Sequence, residues 1–273
     1  MSRERITRLV QCIVVPFVGM FAVGRLTGWI LAGLGLAGWV QDFGSFLTAA
    51  LLAAFLYRCL DPAGWENVFR ESVGVPCTIP LAVCHVGYSL LWLMGAMAAV
   101  QYLFSTPLQT DRTLAGSVLS AVLVHPILEE WLFRRVFLAR LLDLADGEMP
   151  VPEVVSEEQA APARRKYTRA GILFAVLTQA VLFALMHTGG GSMLYGFAGG
   201  LILGILMLRT GRLWVPVAAH MAINLRSVLW PVLPHSLSFA LDMALVAVGV
   251  CCGLLFWSGR IRQAKRQKTE GVS

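Results

Sequence analysis

The sequence is short of charge. Only 14% of its 273 residues are Asp, Glu, Lys or Arg, while 57% are hydrophobic. Soluble domains carry about 25% charged residues, so this chain cannot cover a soluble globule of its own size with polar groups. Cysteine does not supply an alternative framework. Cys12, Cys59, Cys77, Cys84, Cys251 and Cys252 include no CxxC pair and lie in or beside apolar stretches, which reads as small hydrophobes and not as a disulfide set or a metal cluster. There is no HExxH, no tandem repeat and no pair of broken helices in inverted halves. The only compositional bias is the Gly-rich stretch 28–38.

Long uncharged runs are what the chain does have. Residues 78–104 and 170–208 contain no Asp, Glu, Lys or Arg, and about 20 mostly apolar residues suffice to cross a bilayer. The reading is an all-α, polytopic membrane protein with about eight transmembrane helices, near 9–31, 43–60, 79–104, 113–142, 168–187, 193–209, 213–231 and 236–257. Turn residues mark most junctions, among them Asp61-Pro62, Gly189-Gly190-Gly191 and Thr210-Gly211. The first apolar stretch is too long for a signal peptide and lacks a cleavage site, so it is read as an uncleaved span. Three parts follow: helices 1–3 in 1–112, a core of helices 4–7 in 113–235 with a loop at 143–166, and a last helix with a basic tail in 236–273.

Net charge is +6, and its distribution speaks of topology. With both termini in the cytoplasm, 19 of the 22 Lys and Arg fall on cytoplasmic segments or their flanks, as positive charge does in membrane proteins. The excess therefore points to lipid headgroups and not to nucleic acid. The expected location is a bacterial cell membrane, multi-pass.

Ionisable groups inside spans cost about 2.5–3.5 kcal/mol each on insertion scales and mark functional sites. The fourth span carries His125-Pro126-Ile127-Leu128-Glu129-Glu130, then Arg134. Glu130 and Arg134 are i, i+4 and can pair, which leaves Glu129 as the unpartnered carboxylate. Pro126 can kink the helix beside them. The fifth span ends Phe183 to His187, and the seventh stacks His220 and Asn224 on one face at i, i+4. Arg226 and Asp242 read as a structural pair, His85 as a structural histidine, and Arg25 has no evident partner. Counting from Leu114 and Leu213 at 1.5 Å per residue puts Glu129 and His220 about 8–10 Å from the cytoplasmic edge of the membrane. His187 reaches that depth only if the fifth helix starts in the cytosol, where it can pack on an extension of the fourth beyond Arg134.

A carboxylate, two histidines and an amide can hydrolyse an acyl bond: a carboxylate with a helping imidazole takes a proton from water, and an imidazole and carboxamide can steady an oxyanion. Glu129-Glu130-x-x-x-Arg134, Phe183-x-x-x-His187 and His220-x-x-x-Asn224 resemble, in order, the three motifs of the CPBP family. These are the type II CAAX prenyl endopeptidases and the bacteriocin-processing or immunity-type (Abi-like) membrane proteins. The resemblance covers about 115–230. It implies an intramembrane glutamic endopeptidase with a cytosol-facing active-site cavity and no cofactor. Glu129 and His187 would then activate water, His220 and Asn224 would form the oxyanion hole, and Glu130, Arg134 and Phe183 would support them. The implied partners are the lipid bilayer and a membrane-associated protein or peptide substrate.

Three other readings compete. His125 and Glu129 share a helix face and, with His187 and His220, could ligate zinc in a metalloprotease. A proton-coupled transporter would use the same polar residues as a relay, and a bacteriocin-immunity or scaffold protein would use them only as structure.

Overall fold

The computed structural model describes residues 3–62, 77–104, 116, 118–146, 167–187, 189–230 and 232–270. Among them are eight helices and no strand: α1 (3–33), α2 (Gly38–Leu60), α3 (Ile79–Phe104), α4 (118–146), α5 (Arg169–Leu185), α6 (Gly190–Thr210), α7 (Trp214–Leu229) and α8 (His235–Glu270). Their order and positions follow the hydropathy reading closely. Five are long and apolar enough to cross a membrane: Ile6–Gly33, Gly38–Leu60, Ile79–Val100, Gly190–Thr210 and His235–Leu255. The remaining three, α4, α5 and α7, carry the buried Glu130, Arg134, Gln179 and His220. The protein is an all-α membrane protein.

Successive helices run antiparallel, and close approaches fix the pairing. In α1 and α2, Gly24 faces Ala49 while Gly28 faces Ser45. In α3 and α8, Gly253 lies on Tyr88 and Gly249 on Leu91. Between α5 and α6 the seam is glycine: Gly196, Gly200 and Gly204 recur at i, i+4, and a Cβ on Gly200 would lie 2.9 Å from the Ala180 Cα. Small residues at this spacing let two backbones touch in lipid, where there is no hydrophobic force between helices. The closeness lets Gln179, fully buried in α5, donate to the Gly200 carbonyl at 2.8 Å.

Two faces result. One holds the ends of α2, α4 and α6 and the starts of α1, α3 and α5. There Arg140 of α4 meets Asp61 (2.8 Å) and donates to the Tyr57 hydroxyl (2.6 Å), and Arg212 donates to the Cys77 carbonyl at 2.6 Å. Helix α6 stops at Gly211, whose φ of +58° suits only a residue without Cβ strain. The other face holds the α1–α2, α5–α6 and α7–α8 links. Near it Arg226 makes the expected pair with Asp242, bidentate at 2.7 and 2.8 Å, and stacks 4.1 Å over Trp230.

Helix α4 does extend beyond Arg134, to residue 146. Its Leu138, Leu141 and Leu142 are fully buried and join Ala175 and Val176 of α5 in one core. Glu129 lies 11 residues, about 16 Å, from the described start of α4 and farther from its other end. Position 114 is outside the described residues.

Gly200→Leu should drive α5 from α6 and lower the melting temperature in detergent, since overpacking costs about 1–3 kcal/mol. Gly95→Ala, where a Cβ meets nothing within 4 Å, should leave melting unchanged or raise it.

Candidate active site

Helix α4 is not a uniform α-helix. Segments with i→i+5 hydrogen bonding, Val118–Val124 and Trp131–Phe137, flank an α-helical His125–Glu130. In the first register the N–H due to reach the Ala121 carbonyl belongs to residue 126, which is proline and has none. Asn224 of α7 supplies the missing donor: its Nδ2 reaches the Ala121 oxygen at 2.8 Å. Pro126 thus acts through a vacated carbonyl that docks α7 on α4, where the sequence suggested a kink.

One turn further, the two adjacent carboxylates take different places. Glu130 is wholly buried, whereas the Glu129 side chain is 13% exposed. Glu130 Oε2 is 3.0 Å from Arg134 Nε, as the i, i+4 spacing predicts. Its other oxygen, Oε1, accepts from His220 Nδ1 at 2.8 Å, which the sequence did not foretell. Glu130 therefore bridges α4 to α7. With Nδ1 engaged, His220 turns Nε2 toward Glu129, 3.8 Å from Oε2.

Arg134 is fully buried and makes its ion pair by proximity. Among the described residues none of its guanidinium nitrogens has a well-directed hydrogen-bond acceptor. The cation lies instead over the Phe183 ring, 4.4 Å from the centroid, a contact strengthened where water is excluded. Phe183 also meets Phe133, His187 and His220 edge-on at 5.1, 5.0 and 5.9 Å. One ring thereby touches residues of all three motifs, which explains an aromatic at that position.

His187 follows the last turn of α5. Its Nδ1 lies 2.9 Å from the Phe183 carbonyl oxygen, an acceptor only, so Nδ1 carries the proton and a neutral ring has its lone pair on Nε2. The ring rests against Gly196, where a Cβ would come within 2.8 Å of Nδ1. The chain reverses at Gly189, with φ +88°.

Glu129, His187, His220 and Asn224 line one cavity of about 850 Å³. Phe183 borders it as well, and His125 is on its wall, its ring tilted against Phe46 at 4.4 Å. Among the described residues no group of three His, Cys, Asp or Glu side chains is placed to hold a metal ion. Sequence reasoning missed three contributors. The α1–α2 hairpin, outside the motif region, supplies much of the wall, including Arg25 and Asp42. Tyr195 of α6 lines the cavity with a buried hydroxyl that has no hydrogen-bond partner among the described residues. The glycine spacing 196, 200, 204 was a legible signal for the α5–α6 seam.

Comparison with known proteins finds two similarities. Residues 111–226 match the family described as type II CAAX prenyl endopeptidase Rce1-like. The chain is 24% identical over 190 residues to a protein of Bacillus subtilis (strain 168) named "Putative membrane peptidase YdiL", covering 66% of each chain. It thus spans just under two thirds of the length of that curated relative. No solved structure matches the chain significantly. The matched region contains all three motifs, and the CPBP-family resemblance is borne out.

Arg134→Ala strands Glu130 as a buried carboxylate and should cost about 3–5 kcal/mol, the usual penalty for removing one partner of a buried pair. The double variant Arg134→Met, Glu130→Gln should recover part of that loss in thermal melts. A single variant as stable as wild type would contradict the buried pair.

Proposed function

We propose that the chain is an intramembrane endopeptidase that cleaves a peptide bond of a membrane-associated polypeptide with water activated by Glu129. The observation that carries the reading is the cavity: the four motif side chains line it together, and of the paired carboxylates only Glu129 reaches it with an exposed edge. The family match supports a CAAX-protease-like membrane peptidase.

In this reading Glu129 takes a proton from water as the water oxygen attacks the scissile carbonyl carbon. His187, its Nδ1 tied to Phe183, offers Nε2 to orient that water. The carbonyl oxygen becomes an oxyanion and receives donors from His220 and Asn224. Asn224 has a second Nδ2 hydrogen beyond the one given to Ala121. With Nδ1 held by Glu130, His220 donates from Nε2 only when that nitrogen also carries a proton. Collapse of the tetrahedral intermediate breaks the C–N bond, and the proton held by Glu129 passes to the leaving amine. Glu130 and Arg134 act through His220 and are positioning residues.

No cofactor enters the scheme. Purified Glu129→Gln should lose peptide cleavage by at least about 10²-fold, a typical general-base contribution, with melting unchanged. A chelator should leave wild-type cleavage intact. Retained cleavage in the variant would overturn the glutamate mechanism, and chelator loss restored by zinc would favour a metal enzyme. A wild type that cleaves nothing in a broad peptide library would favour the scaffold or transport readings.

A further inference from the structure

The cavity is not central along the helix axes. Its lining on α1 runs from Met20 to Ala32, the second half of that helix, and on α2 from Asp42 to Ala49, the first half. Helix α6 contributes Ser192, Tyr195, Gly196 and Gly199 from its first half and Leu203 just beyond it, and His187 sits at the α5–α6 link itself. Trp29 and Ala32 are exposed at the last turns of α1. Most of the lining lies toward the face that carries the α1–α2, α5–α6 and α7–α8 links, with Leu93, Leu203 and His220 nearer the middle of their helices. Both termini belong to the opposite face, so the cavity faces the cytosol only if the termini do not.

Charge decides between these orientations. Arg134 and Arg135 lie midway along α4 and are set aside. Of the other 20 Lys and Arg, 17 belong to the terminal face, its connections and the two chain ends: Arg3, Arg5, Arg8, Arg58, Arg70, Arg140, Arg164, Arg165, Lys166, Arg169, Arg209, Arg212 and five in 260–268. Toward the cavity face are Arg25 and Arg226, and Arg112 belongs to the sequence connecting α3 and α4. Arg226 is neutralised by Asp242, and Arg25 is on the cavity wall. A bias of this size in short connections and flanks sets orientation.

We infer that the cavity opens away from the cytoplasm and that its substrate is an extracytoplasmic polypeptide: an exported, membrane-attached peptide or the outer juxtamembrane segment of another membrane protein. This rests on the peptidase reading for the word substrate, while the orientation stands on charge and geometry alone. Arg25, about two turns from the end of α1, lines the cavity as a cation that such a chain would meet.

Thiol labelling in intact cells tests the orientation. Cys59, exposed beside Arg58 on the terminal face, serves as one reporter, with the other five cysteines changed to Ser. Ala32→Cys in a background with all six native cysteines replaced serves as the second. A membrane-impermeant maleimide should label Ala32→Cys without permeabilisation and Cys59 only after it. The reverse pattern overturns the inference. Right-side-out vesicles supplied with a peptide that the detergent-solubilised protein cleaves should cleave it from outside, at least ten-fold faster than inverted vesicles. External labelling of Ala32→Cys with cleavage only by inverted vesicles overturns the substrate assignment. External labelling with no cleavage even in detergent overturns the peptidase reading and leaves the orientation standing.

Discussion

The Glu130–Arg134 ion pair, buried in the middle of α4, is the constraint on which the rest depends. Two charges without water are tolerated only when each has further partners. Glu130 finds one in His220 of α7 at 2.8 Å, and Arg134 finds one in the Phe183 ring of α5 at 4.4 Å. The cost of burial thus becomes a specification: α5 and α7 must sit where they do or the pair is stranded. His187 is placed because Phe183 is placed, and Asn224 because α7 is docked. Glu129, adjacent in sequence but about 100° around the helix, is left with its edge toward the cavity.

Much of this was legible in the sequence. Hydropathy located eight helices, because a bilayer demands apolar runs of a fixed length. The i, i+4 spacings of Glu130 with Arg134 and of His220 with Asn224 correctly put each pair on one helix face. Spacing on one helix could not show that Glu130 also holds His220, or that Asn224 answers a carbonyl left empty by Pro126. Those contacts depend on how α4 and α7 are rotated against each other. The wall formed by α1 and α2 was invisible for a related reason: a cavity wall needs only bulk and position, and no motif marks Met20, Phe46 or Ala49.

Depth was the least legible quantity. Counting residues from Leu114 placed Glu129 near the cytoplasmic edge, and that starting point lies outside the described residues, while the leucine-faced extension of α4 to residue 146 packs on α5 as its sequence allowed. His187 lies at the α5–α6 link, and links move with helix length. The charge pattern and the cavity position are separately simple, and only together do they carry the proposed orientation.

The central claim is that the polar cluster delivers water directly to a peptide carbonyl with Glu129 as base. A single turnover in H₂¹⁸O, with enzyme in excess over a cleavable peptide, tests it most directly. The account predicts one ¹⁸O in the new carboxylate of the product and none in Glu129. Label in the Glu129 side chain, with ¹⁶O in the first product, would mean that the carboxylate attacks the peptide itself and would contradict the account.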